Sequence, residues 1–273
     1  MKKIIYSLGV TTISLIFIAC NNDDDSTNSS DKKKSKLLKE IISSYNNSPN
    51  NIYKELYTYT IIDSLVNKVE YYKNYTLLYT KEYNYLDKNN IIETNYSINN
   101  FTKKIESTIT HQLKDNFVKS TYEYANFDSI IKENSYEYMI VSIPIEITSY
   151  FDQCGVNRII NKDYNFREPS NPYITDFSYK SINNNCNRTT VYRNSTKIGE
   201  NVYVGKNVVP TPLDHFKIHR KDMLQSVSYI DPKESDFNYN VNIVFDKEGL
   251  PKSSTEYSPK IQNSTKNNNY SYY

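Results

Sequence analysis

From Tyr53 onward the chain runs in short stretches rich in Tyr, Ile, Val and Thr, such as Tyr57-Thr58-Tyr59-Thr60-Ile61-Ile62 and Tyr71-Tyr72-Lys73-Asn74-Tyr75-Thr76-Leu77-Leu78-Tyr79. Residues of these types suit a pleated, half-buried surface, so each stretch reads as a strand. Breaks fall at Asp87-Lys88-Asn89-Asn90, Asn99-Asn100, Asn126-Phe127-Asp128, Asn183-Asn184-Asn185 and Asp246-Lys247-Glu248-Gly249. Asn, Asp and Gly tolerate the backbone geometry of tight turns. The pattern predicts an all-β chain, an antiparallel meander of hairpins over residues 37–257 that forms an open or curled sheet. An aromatic-x-aromatic pair recurs at Tyr57/Tyr59, Tyr83/Tyr85, Tyr122/Tyr124, Tyr136/Tyr138, Phe177/Tyr179 and Phe237/Tyr239. Each pair sets two rings on one face of the sheet.

Two segments depart from this pattern. Leu37, Leu38, Ile41, Ile42 and Tyr45 fit a short amphipathic helix, while Ile41 to Tyr45 fit a first strand equally well. Thr211-Pro212-Leu213-Asp214 has an N-cap, Pro at the first helical position and a carboxylate at the third. It predicts one short helix near 212–224, with Leu213, Phe216, Met223 and Leu224 packed on the sheet. Residues 258–273 return to Ser, Lys and Asn and predict a frayed polar tail, unless Tyr270, Tyr272 and Tyr273 add a last strand.

The N-terminus changes the picture. Lys2 and Lys3 precede a mostly apolar stretch from Ile4 to Ile18, too short to span a bilayer comfortably, and residues 1–19 read as a secretory signal. The stretch ends Phe17-Ile18-Ala19-Cys20, which resembles the lipobox of bacterial lipoproteins, with Phe17 where Leu is more usual. That resemblance implies cleavage before Cys20 and attachment of acyl chains such as palmitate to it. More than one chain anchors a protein stably. Residues 20–36 form a polar tether containing Asp23-Asp24-Asp25. This acidic run resembles the signal that sends Bacteroidetes lipoproteins to the outer face of the outer membrane, and it implies surface exposure.

Loss of residues 1–19 leaves 254 residues and takes the formal charge from +2 to 0. The balance favours neither nucleic acid nor an anionic membrane surface. The expected partners are the membrane, through the N-terminal lipid, and a glycan or protein ligand. The chain has 28 Tyr and no Trp, and an exposed tyrosine face offers flat apolar area with a polar tip for such ligands.

With Cys20 acylated, Cys154 and Cys186 remain, and an oxidising compartment favours a disulfide between them. His215, His219 and Asp222 would share one side of the proposed helix, opposite its apolar face. Phe216 stands where a zinc protease carries Glu, so a solvated face is the better reading. His111 has no evident partner. The five glycines, Gly9, Gly155, Gly199, Gly205 and Gly249, build neither a nucleophile elbow nor a phosphate loop. No catalytic residues, metal or cofactor are therefore expected.

Three units, Tyr83 to Ile92, Tyr122 to Ile131 and Val244 to Lys252, resemble the hairpins of Bacteroidetes cell-surface lipoproteins with domains of unknown function. More distantly they are similar to tyrosine-aspartate repeats. The resemblance implies an all-β envelope protein without catalytic residues. Asp25-Ser26-Thr27, Asp63-Ser64-Leu65 and Asp128-Ser129-Ile130 resemble O-glycosylation sites of exported Bacteroidetes proteins. The rival expectation is a half-barrel facing the periplasm that carries a lipid or another apolar ligand.

Overall fold

The computed structural model describes residues 36–45, 48–100, 102–127, 143–165, 168–205, 207–218, 223–230, 238–257 and 265–273. Asn and Asp set the turns between its strands: Asn74, Asn100, Asp115, Asn183, Asn184 and Asn194 all take positive φ, between 44° and 57°. These side chains tolerate left-handed backbone better than most, and that backbone matches the twist of paired strands.

Sixteen antiparallel strands result. They are β1 (Leu38–Tyr45), β2 (Ser48–Tyr59), β3 (Val66–Lys73), β4 (Thr76–Asp87), β5 (Asn90–Asn99), β6 (Thr102–Lys114), β7 (Phe117–Tyr124) and β8 (Pro144–Asp152). There follow β9 (Gly155–Asp163), β10 (Tyr173–Ile182), β11 (Asn185–Arg193), β12 (Thr196–Val204), β13 (Met223–Tyr229), β14 (Tyr239–Phe245), β15 (Pro251–Tyr257) and β16 (Thr265–Tyr272). Each strand pairs with its sequence neighbours, and β1 pairs with β16, so the sheet is a closed barrel.

Closure corrects the expectation of an open or curled sheet, and with it the half-barrel. Its physical cause lies at the two ends of the chain. Residues 38–45 are a strand, which settles the choice between helix and strand. Residues 265–272 are also a strand and no frayed tail, so the barrel extends beyond the predicted limit at 257. Ser43 Oγ donates to Asn268 Oδ1 at 2.7 Å across this seam. The run Tyr71 to Tyr79, expected as one strand, is two: Asn74 and Tyr75 turn the chain at φ 48° and 69°, and Asn74 Oδ1 accepts the Ile52 N–H at 2.8 Å.

The predicted helix near 212–224 is also corrected. Thr211 N–H does donate to Asp214 Oδ2 at 2.9 Å, but Pro212–Asp214 make only a 3-10 turn. Lys217 then takes φ 55°, which ends helical winding, and Met223 and Leu224 belong to β13. The segment 207–218 folds against one end of the barrel instead. Val208 and Val209 pack on a core of Leu38, Ile41, Tyr57, Val66 and Val69. Leu213, Phe216 and Ile218 pack with Ile91 and Val118 in a second core. Gly205 lets the chain leave β12 at φ 64°, where a Cβ would meet the Phe245 ring at 2.5 Å.

Candidate binding interior

Register and burial assign the two faces of the wall. Ile91, Glu93 and Asn95 alternate with less buried neighbours along β5, and their cross-strand partners point the same way. The aromatic pairs Tyr83/Tyr85 and Tyr122/Tyr124 stand on this inner face, as do Phe177/Tyr179 by register. The tyrosines expected on an exposed face are therefore turned inward. Sixteen strands make a barrel wide enough to leave an interior, and Tyr71, Tyr79, Tyr122 and Tyr124 stay only partly buried in it.

The inner wall carries charge as well. Glu93, 4% exposed, has Lys81 Nζ at 3.3 Å and His111 Nε2 at 3.5 Å. The second distance is too long for a good hydrogen bond. Burial pushes the Glu93 carboxyl upward, yet His111 and Lys81 outweigh it and hold the group below the usual carboxylate range. His111 Nδ1 lies 2.8 Å from Ser120 Oγ, so the histidine that lacked a partner in the sequence has two. Burial pushes the Tyr79 and Tyr124 hydroxyls up to about 12. Asn95 Oδ1, Asn161 Oδ1 and Thr189 Oγ1 face inward with no hydrogen-bond partner among the described residues. A second network joins Asn268 Nδ2 to Ser254 Oγ at 3.0 Å and to Glu256 Oε1 at 2.7 Å.

Ser120, His111 and Glu93 line up as hydroxyl, imidazole and carboxylate, the order found in acyl hydrolases. The hydroxyl, however, is buried in the middle of β7, which is paired on both sides with β6 and β8. Its neighbouring backbone amides serve those ladders, so they provide no oxyanion hole.

The outer wall is laced with ion pairs. Lys68–Glu70 at 2.9 Å, Lys103–Glu82 at 2.5 Å, Lys119–Glu146 at 2.6 Å, Arg158–Asp176 at 2.8 Å and Lys197–Glu200 at 3.1 Å lie along the strands among Ile, Leu and Tyr. Lys103 Nζ also sits 3.6 Å from the centre of the Tyr96 ring.

Of the residues expected to matter, Cys154 and Cys186 form a disulfide, which ties the β8–β9 turn to the start of β11. A cleft of about 580 Å³ beside it is lined by Asn116, Phe151, Arg158, Tyr179 and Lys180 among others. His215 is partly buried and does not stand free on a helix face. Its Nε2 lies 2.6 Å from the Asp87 carbonyl, and its ring packs 4.8 Å from that of Tyr85. His219, Asp222 and Cys20 lie outside the described residues, as do the signal, the tether up to residue 35, Tyr136/Tyr138 and Asp128-Ser129-Ile130. Asp63-Ser64-Leu65 is the turn between β2 and β3, with Asp63 and Ser64 exposed. Among the described residues no group of three His, Cys, Asp or Glu is placed to hold a metal ion.

No protein-family model matches the chain, and no curated protein matches it. Solved structures similar to it include a porin-like protein from Bacteroides uniformis, at 10% identity and a TM-score of 0.44, covering 86% of this chain and 98% of that one. The likeness to tyrosine-aspartate repeats is not upheld. Tyr83 to Ile92 and Val244 to Lys252 do fold as hairpins, but as parts of one closed wall.

Proposed function

We propose that this chain is a lipoprotein of the bacterial cell envelope, anchored by acyl chains on Cys20, whose barrel stands in water and receives a polar ligand in its tyrosine-lined interior. The observation that carries this reading is the outer wall. A barrel that crosses a bilayer presents an apolar band to lipid, and each Lys or Arg placed at mid-membrane costs about 2–4 kcal/mol. Here Lys68, Lys103, Lys119 and Arg158 face outward along the strands, each with a carboxylate partner. Such a wall suits water, and the membrane contact is left to the lipid.

The inner wall argues against an apolar cargo. Lys81, whose side chain keeps 31% of its exposure beside buried Glu93, would lose its remaining water against a lipid chain, at a cost that a polar ligand avoids. The Asp23-Asp24-Asp25 run supports the outer surface of the outer membrane as the location.

Fractionation of cells carrying the wild-type chain or Cys20→Ala tests the anchor. The reading requires the wild type in the membrane fraction and the variant released as a folded soluble protein. A variant that resists alkaline carbonate extraction would overturn it. Protease shaving of intact cells then separates the exterior from the periplasm.

A further inference from the structure

We infer that the turn between β2 and β3 is a membrane finger, through which Ile61 and Ile62 enter the bilayer that holds Cys20 and seat the barrel on it by one end. The inference rests on the reading that Cys20 is acylated. Ile61 is 97% exposed and Ile62 91%. Turns at the same end, such as Asp87-Lys88-Asn89-Asn90, Asp115-Asn116 and Asn183-Asn184, are polar, as turn geometry and water both favour. Two neighbouring isoleucines at a turn tip serve neither that geometry nor a core, and an exposed apolar pair of this kind marks a contact surface. The tip is held outward by its base. Thr60 N–H donates to the Leu65 carbonyl at 2.7 Å, and Leu65 N–H donates to Thr60 Oγ1 at 3.1 Å.

The place of the finger names its partner. Antiparallel neighbours reverse at every turn, so β1 starts, and β2 and β16 finish, at one and the same end of the barrel. The Tyr59 hydroxyl donates to the Leu38 carbonyl at 2.7 Å, which sets the point where the chain enters the barrel beside the strand that leads into the finger. Residues 20–35 join Cys20 to Lys36 and cannot reach farther than about 55 Å. The acyl chains therefore keep a lipid surface near this end, and a tethered contact forms at high effective concentration. Both isoleucine side chains gain by leaving water for it. Tyr273, 63% exposed, stands at the same end, with Lys39 Nζ 5.8 Å from the centre of its ring. An aromatic ring beside a lysine suits the headgroup level of a bilayer. Asp63 and Ser64, exposed next to the isoleucines, stay among the headgroups, so the finger goes no deeper than the boundary of the acyl region, about 5–10 Å.

The test uses the full protein, purified with its lipid and reconstituted in vesicles of phosphatidylethanolamine and phosphatidylglycerol. The chain has no Trp, so Ile61→Trp and, separately, Tyr75→Trp each place a single fluorescent reporter. Tyr75 is 89% exposed in the turn between β3 and β4, at the opposite end of the barrel, so neither change touches a core. Lipid brominated along its acyl chains quenches the reporter at 61 about threefold or more over that at 75, and adding Ile62→Ser to Ile61→Trp weakens the quenching. No quenching at 61, or quenching at 75 as strong, overturns the inference. So does a glycan on Ser64 in the intact mass of the protein, because a sugar at that position could not enter beside the isoleucines. A protein that lacks the mass of its acyl chains and does not float with the vesicles shows that the anchor itself has failed and takes the finger with it, and that is known before any fluorescence is read.

Discussion

Arg158 and Asp176 grip each other in a two-pronged contact on the outer wall, Nε to Oδ1 at 3.0 Å and Nη2 to Oδ2 at 2.8 Å. The guanidinium also lies over the Tyr150 ring, 5.5 Å from its centre. Exposed pairs of this kind are screened by water and contribute little. Arg158→Ala is expected to change unfolding free energy in urea by about 0.5 kcal/mol, and by less in high salt. A gain of about 2 kcal/mol or more in lipid vesicles, with none in water, would instead mark this face as one that meets lipid.

Glu93 gives the barrel a dependence on acid. Its carboxyl is held below its ordinary value in the folded protein, so the unfolded chain takes up the proton first as pH falls. The stability from its charge is present above the ordinary carboxylate value and is lost as pH falls through the folded one. Glu93→Gln leaves Lys81 without its buried partner and is expected to cost about 3 kcal/mol at pH 7. Urea titrations between pH 7 and pH 3 should show that gap closing from the wild-type side.

The Cys154–Cys186 bridge joins residues 32 positions apart. In the loop-entropy account, a loop of this length restricts the unfolded chain by about 3–4 kcal/mol. Replacing both cysteines with Ser should lower stability by that order, and dithiothreitol should then have no further effect. A double variant as stable as the oxidised wild type would remove the bridge from the list of what holds this end together.

The segment that covers the barrel end should respond to two opposite changes. Phe216 is 8% exposed in the core with Ile91 and Val118, and Phe216→Ala is expected to cost about 3–5 kcal/mol. Lys217 sits at φ 55° with its side chain exposed, and Lys217→Gly relieves left-handed strain to raise stability by about 0.5–1 kcal/mol. Thermal unfolding of the two variants should shift in opposite directions.

Much of the wall was legible in the sequence because strand and hairpin signals are local. The turns at Asp87–Asn90, Asn183–Asn185 and Asp246–Gly249 fall where Asn, Asp and Gly predicted them. The turn at Asn74 was missed because Tyr75, a strand former, occupies its second left-handed position. Thr211 to Asp214 carried a true start signal, but whether a helix propagates depends on what it packs against, and here three apolar side chains are drawn into the barrel end. The site was less legible than the fold. Glu93, Lys81, His111 and Ser120 come from four strands, and only the register, shifted by bulges such as that at Asn95/Tyr96, brings them together. The aromatic pairs were visible as pairs; which way they point depends on closure, and closure leaves no local mark.

That seam has a consequence for how the protein is made. Ser43 and Asn268 meet across 225 residues of chain, so the first strand waits for almost the last before its free edge is covered. Until then the growing sheet has two raw edges, each a template for pairing with another chain. The slow, long-range step is the pairing of β16 with β1, which zips the cylinder shut. A chain cut short before Thr265 would keep every hairpin up to β14–β15 intact and still deliver an aggregating sheet.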